Sequence, residues 1–419
     1  MSTLKEFLKK HCPDGVEYKT LSELGSFYAG LNGKKKDDFK DGNAKYITYM
    51  NVFSNLSVNT NINDTVQIGE KEKQNIVKYG DIIFTGSSET IEECGMSSVV
   101  TNELNEKLYL NSFCFGFRFN EPEIMLPDFS KYLFRSTELR KKIIKTASGV
   151  TRFNVSKKKM GKIFIPIPPI EVQKEIVRIL DTFTKYQDLL NRELELRKKQ
   201  YEYYRDKLLT FGDEVEYVPL WSVTIWDKKF NSVDRKKQPE VINYPYLLAS
   251  DLFAMEQDSG DVFLLSTGEK TGWTTEKIAG NNLCNGEVVT IPWGKSRAVI
   301  DCIKYYKGKF VTADNRIMTS KDKSKLNNKF LYYIVMSKGK LIDTFYRGSG
   351  IKHPDMSKVL DIIIPLPPLE EQERIVKILD QFDTLCNDIT RGLPAEIELR
   401  KKQYEYYRDK LLTFKEKNK

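Results

Sequence analysis

The chain has 419 residues, more than one ordinary domain accommodates and enough for roughly two to four. With 40% hydrophobic and 30% charged residues it is globular in composition, and its net charge of +9 suits a polyanionic partner without requiring one. Two histidines (His11, His353) and six scattered cysteines without a C-x-x-C pair argue against a His-ligated metal, His-based acid–base chemistry, a disulfide framework or a zinc knuckle.

The N-terminal MSTLKEFLKKHCPDG lacks the apolar core and cleavage site of a secretory signal. No apolar run approaches the ~20 residues that a membrane helix needs. A cytoplasmic protein with no membrane partner is expected. Short apolar runs at Asp81–Phe84 and Leu108–Phe119 read as strands, and 129–146 as a helix. IFIPI then leads into Pro168-Pro169, where proline forces the preceding residue extended yet fits a first helical turn, and Glu171 complements the helix dipole. From there a 4,3 spacing runs through Ile176, Leu180, Phe183, Gln187, Leu190, Leu194, Arg197, Tyr201, Tyr204, Leu208 and Phe211, the signature of a coiled-coil seam.

Past this helix the chain begins again. KIFIPIPPIEVQKEIVRILDTF (162–183) returns as DIIIPLPPLEEQERIVKILDQF (361–382), and GVEYKTL (15–21) as EVEYVPL (214–220), both at an offset of 199. ELRKKQYEYYRDKLLTF occurs unchanged at 195–211 and 398–414. ASGVTRFNVSK (147–157) corresponds to GSGIKHPDMSK (348–358), and YGDIIFTG (79–86) loosely to NGEVVTIP (285–292). By contrast, 22–146 and 221–347 share only a sparse apolar pattern, with strands expected at Glu287–Ile291 and Lys309–Met318 and a helix at 329–346. A period near 200 implies two copies of a domain-plus-helix unit rather than a solenoid.

The second seam continues through Ile375, Leu379, Phe382, Cys386 and Ile389, then Leu393, Ile397, Arg400, Tyr404, Tyr407, Leu411 and Phe414. Gly392-Leu393-Pro394-Ala395 are extra relative to the first copy, a four-residue stutter where Pro394 should kink or restart the helix. The helices are each other's nearest partners, and domain-sized connections let them run antiparallel. A forty-residue helix is about 60 Å long, close to roughly 18 base pairs of DNA. The expected fold is therefore α/β (α+β): two mixed α/β domains separated by two long antiparallel coiled-coil helices, related by a pseudo-twofold internal repeat.

Two unlike domains alternating with two near-identical helices, and the strings IPIPPIEVQKEIVRILD, IPLPPLEEQERIVKILDQF and KKQYEYYRDKLL, resemble the specificity subunit of type I restriction–modification systems. The resemblance covers essentially the whole chain. It implies target-recognition domains at 1–160 and 214–360, each reading half of a bipartite double-stranded DNA site, and conserved helical regions at 161–213 and 361–419. It further implies docking of two methyltransferase subunits and, through them, two restriction subunits. The chain itself would then be non-catalytic and bind no cofactor, since S-adenosylmethionine, ATP and magnesium belong to the partners.

The residues agree with that absence of chemistry. WGKS (293–296) lacks a P-loop glycine, because Val289 stands in its place, and no G-x-G-x-x-G follows a strand. Asp355 in PDMSK, which the first copy replaces by FNVSK, reads as structural. DNA contact needs Lys or Arg for phosphates and Arg, Lys, Asn, Gln, Ser or Thr for base edges. Candidates are Lys34, Lys35, Lys36, Thr85, Ser87, Ser88, Arg152, Asn154 and Lys157 in the first domain, and Lys295, Ser296, Arg297, Asn315, Arg316, Arg347 and Lys352 in the second. The competing readings are a coiled-coil scaffold without sequence-specific DNA binding, or a degenerate DNA methyltransferase or nuclease.

Overall fold

The computed structural model describes residues 6, 7, 10–245, 247–266, 270–294, 297–313 and 316–417. The chain forms two compact units. One comprises 1–191 with 396–419, the other 192–395. Each holds one variable region and parts of the long helices, here α1 (Ile170–Leu208), α2 (Leu369–Asn387) and α3 (Leu393–Leu411). Among the described residues no helix is long and apolar enough to cross a membrane.

In the first unit, an antiparallel sheet orders Gly25–Ala29, Cys114–Phe119, Ile82–Thr85 and Ser97–Val99. A three-stranded sheet places Ala44–Ile47 between Thr65–Val66 and Leu108–Leu110. The apolar stretch expected as one strand at 108–119 is thus two strands, because Asn111 and Phe113 turn the chain: the Asn111 side chain accepts from the Phe113 N–H at 2.9 Å. In the second unit one six-stranded sheet orders Thr224–Trp226, Ile317–Ser320, Cys284–Thr290, Lys304–Thr312, Val262–Leu265 and Gly272–Thr274. Among the described residues only Val262–Leu265 with Lys304–Thr312 is a parallel strand pair in it. The helices expected at 129–146 and 329–346 are each two: Pro127–Leu133 and Thr137–Ile144, and Asn328–Ser337 and Gly339–Asp343.

The chain enters and leaves each variable region side by side. Glu17–Thr20 pairs antiparallel with Phe164–Ile167, and Tyr217–Pro219 with Ile363–Pro365. The proline pairs follow at once and open α1 and α2.

A glutamine one turn into each helix then ties it to its unit. Gln173 is fully buried; its amide donates to the Ile124 and Pro168 carbonyls at 3.0 and 2.8 Å, and its oxygen accepts from the Leu126 N–H at 2.8 Å. Gln372, equally buried, donates to Lys325 and Pro367 at 2.8 Å each and accepts from Asn327 at 2.8 Å. Two turns further, Tyr132 donates to Asp181 at 2.5 Å and Tyr333 donates to Asp380.

Within each unit the helices run antiparallel. In the first, Phe183 stacks on Tyr407 (5.4 Å between centroids), and Arg400 lies over Tyr186. In the second, Phe382 stacks with Tyr201 and Tyr204 at 6.1 and 5.7 Å. The deepest positions are shared with the variable regions. Ile176 and Leu180 are fully buried in one core with Phe129, Tyr132 and Leu411, as are Ile375 and Leu379 in another with Phe330, Tyr333 and Tyr201. Cys386 is buried with them, while Leu194, Leu208, Phe382 and Tyr404 are half-buried against those cores; Leu190 is buried and Ile397 half-buried.

One expectation fails here. The second seam does not run on through Ile389, which is 80% exposed. Helix α2 ends at Asn387, and Asp388 caps a turn, its carboxylate accepting from the Thr390 and Arg391 N–H groups. The Thr390 hydroxyl and N–H, with Arg391, hold that carboxyl down at about 2. The chain restarts at Leu393 with Pro394 in the first helical turn, which tolerates proline. The extra residues therefore build a helix break rather than a continuous stutter.

Candidate nucleic-acid interface

In both units a hairpin follows the two helices, and a short helix (Lys157–Met160 or Met356–Leu360) leads from it into the exit strand. In the first, Ala147–Ser148 pairs with Phe153–Val155, which pairs with Ser87–Ser88. In the second, Tyr346–Arg347 pairs with His353–Pro354. Gly149 (φ +149) and Gly348 (φ +135) turn the two hairpins; a Cβ on Gly149 would lie 2.0 Å from the Arg152 carbonyl oxygen. The second hairpin is tied to the central strand's end by Tyr346 donating to the Pro292 carbonyl and by His353 Nδ1 at 2.9 Å from the Trp293 carbonyl oxygen.

Six of the nine candidates in the first unit line two cavities beside that unit's hairpin. Lys34, Ser87, Asn154 and Lys157 line a cavity of about 530 Å³. Ser87, Ser88 and Arg152 line a neighbouring one of about 380 Å³ with Tyr49, Phe53 and Phe113. Arg152 lies over Phe113 at 5.2 Å and Lys157 over Phe115 at 5.2 Å, so both cations rest on aromatic faces.

The three remaining candidates, and Lys34 among the six, are held in other ways. Thr85 is fully buried and its hydroxyl accepts from the Met96 N–H at 2.9 Å, so it shapes the sheet instead of reaching the surface. Lys34 is committed to Glu72 at 2.5 Å and to the Gln67 carbonyl, and that ammonium pulls the Glu72 carboxyl down to about 2. Lys35 and Lys36 are exposed at the start of a short 3₁₀ turn whose Asp38 accepts from the Lys35 N–H.

In the second unit Arg316 is half-buried over Trp293 at 5.8 Å, and Trp293 packs edge-on against His353 at 4.1 Å. Arg347 and Lys352 are exposed at the two ends of that unit's hairpin turn, and Arg297 is exposed nearby in sequence. Lys295, Ser296 and Asn315 lie outside the described residues.

Three features escaped the sequence reading. The exposed aromatics Phe113 (53%) and Trp293 (41%) sit beside the two hairpins, each carrying an arginine. Glu89 and Glu93 line the same cavity as Arg152. The buried glutamines fix each variable region to its helix; their identity at matching places of the two copies was the available signal. Among the described residues no cluster of His, Cys, Asp and Glu could hold a metal ion.

Comparison with known proteins places this arrangement. The type I restriction modification DNA specificity domain matches residues 13–197 and 230–399. The specificity subunit of the Escherichia coli type I restriction enzyme EcoR124I/EcoR124II is 33% identical over 275 residues, 62% of this chain and 65% of that subunit, so the chain spans somewhat under two thirds of that relative. A Mycoplasma pneumoniae chain named as a type I specificity subunit is 30% identical over 64% of this chain and 92% of its own length. The same fold occurs in the type I restriction–modification S subunit from M. genitalium, with a TM-score of 0.52 at 14% identity over 95% of this chain and 96% of that one. A chain from a structural study of assembly and conformational transition in the type I system gives 0.59 at 17% identity, covering 96% and 98%. With family matches in both copies of the repeat, the chain belongs to the type I restriction–modification DNA specificity family.

Proposed function

We propose that this chain is the non-catalytic specificity subunit of a type I restriction–modification complex, in which residues 1–160 and 214–360 each read one half of a bipartite double-stranded DNA target. The observation that carries the reading is the recurrence of one scaffold under two unlike surfaces. Each unit repeats the paired entry and exit strands, the buried glutamine and the hairpin, while its sheets differ. Two different readers on one scaffold suit two unrelated half-sites.

Regions 161–213 and 361–419 then carry the methyltransferase subunits, two of them, with two restriction subunits joining through those. The outward face of the repeated helix supports this. Leu196 and Tyr203 are 55% and 61% exposed, and their copies Leu399 and Tyr406 are 59% and 58% exposed. Packing inside a fold places no demand on exposed residues, whereas two copies of one partner need two identical faces. S-adenosylmethionine, ATP and magnesium are assigned to those partners, and the complex works in the cytoplasm.

The test is to express the chain with its methyltransferase partner and map methylated sites in the host DNA. Two unrelated half-sites with a fixed gap support the reading. A palindromic target, or methylation that does not depend on this chain, contradicts it.

A further inference from the structure

The cavity of about 380 Å³ in the first unit carries charge of both signs. Arg152 lays its guanidinium over Phe113, 5.2 Å from the ring centroid. The ring limits the orientations of the fork, so less freedom is lost when it binds a planar acceptor pair. Glu89 and Glu93, both exposed, line the same cavity, and Glu93 accepts from the Ser88 hydroxyl at 3.2 Å.

A surface serving phosphates alone gains nothing from two carboxylates, since they repel the DNA backbone. Base edges are different. In the major groove guanine offers O6 and N7 to an arginine fork, and cytosine offers an amino group to a carboxylate. Arginine and glutamate around one cavity match that donor and acceptor pattern of a G·C pair. Lys157 and Asn154, which line the adjacent cavity, lack such a carboxylate partner within it and suit the sugar–phosphate backbone.

Resting on the DNA-reading function proposed above, we propose that Arg152, held by Phe113, is a specificity-determining residue that reads a guanine in the half-site taken by the first unit. Glu93 takes the amino group of the paired cytosine. That half-site therefore contains a G·C pair whose recognition lies in these two side chains.

The experiment uses the full chain assembled with its methyltransferase partner and a library of randomised DNA duplexes, sequenced after binding. Wild type should select two half-sites, one with an invariant G·C pair. Arg152→Gln and Arg152→Lys should each lose guanine preference at that one position by about tenfold or more, leaving the other half-site unchanged. Glu93→Gln should relax the same base pair less. Thermal unfolding of each variant checks that the hairpin still folds.

If Arg152 instead touches phosphate, Arg152→Lys will bind like wild type. Arg152→Gln will then weaken binding to all sequences alike, with the salt dependence reduced by about one ion, and the assignment is overturned. An unchanged target in folded Arg152→Gln overturns it as well. A wild-type chain that selects no bipartite target sinks the underlying function, and this assignment with it.

Discussion

The two units solve the docking problem identically and the surface problem differently. Gln173 and Gln372 make the same three kinds of hydrogen bond, and Tyr132 and Tyr333 reach the same aspartate position on their helices. Above that shared base, the first unit divides its strands among separate sheets and sets Phe113 and Arg152 beside its hairpin. The second builds one six-stranded sheet and sets Trp293 and His353 there. A buried polar lock leaves little latitude, because each unmatched group costs free energy, whereas exposed side chains change at almost none. The difference teaches that the chain separates what must be held from what is free to vary.

The comparison breaks most sharply at the deepest helix positions. Leu180 and Leu379 are both fully buried, each in the core of its own unit. Leu180→Asp should destabilise the first unit by about 4 kcal/mol and Leu379→Asp the second, since each buries an uncompensated charge. Limited proteolysis with mass spectrometry reads which unit opens. Equal opening of both units by either variant would show that they unfold as one body.

Next come the glutamines. Gln173→Leu strands the Leu126 N–H and the Ile124 and Pro168 carbonyls, and Gln372→Leu strands their counterparts. Each should cost about 2–3 kcal/mol by denaturant titration. A large loss for one and none for the other would end the claim of an equivalent lock.

The smallest effect is expected where the copies diverge. Ile389→Asp sits in the exposed turn between α2 and α3 and should change stability by less than about 0.5 kcal/mol. A loss comparable to Leu379→Asp would restore the continuous seam.

Much of this was legible in the sequence, for identifiable reasons. The duplication is written in identical letters, and the proline pairs mark the helix starts because proline has few other places to go. The periodic seam located Ile176, Leu180, Ile375 and Leu379, but not the fact that the variable regions share them, since periodicity names a buried face and not its partner. It also carried the seam through Ile389, because apolar spacing is blind to a turn that Asp388 caps with side-chain hydrogen bonds. Gln173 was missed because a polar residue near a helix start reads as solvated. Thr85 and Lys34 were proposed for DNA from residue type alone, whereas burial in a sheet and an ion pair with Glu72 are long-range outcomes. The meeting of Ser87 with Asn154 depends on pairing far along the chain, which no local pattern announces.

The central claim, two independent readers on one repeated scaffold, is tested most directly by exchanging residues 22–146 for the corresponding region of another member of the family and mapping methylated sites. The account predicts that one half-site is replaced, while the other half-site is retained. A target that changes in both halves, or in neither, would contradict it.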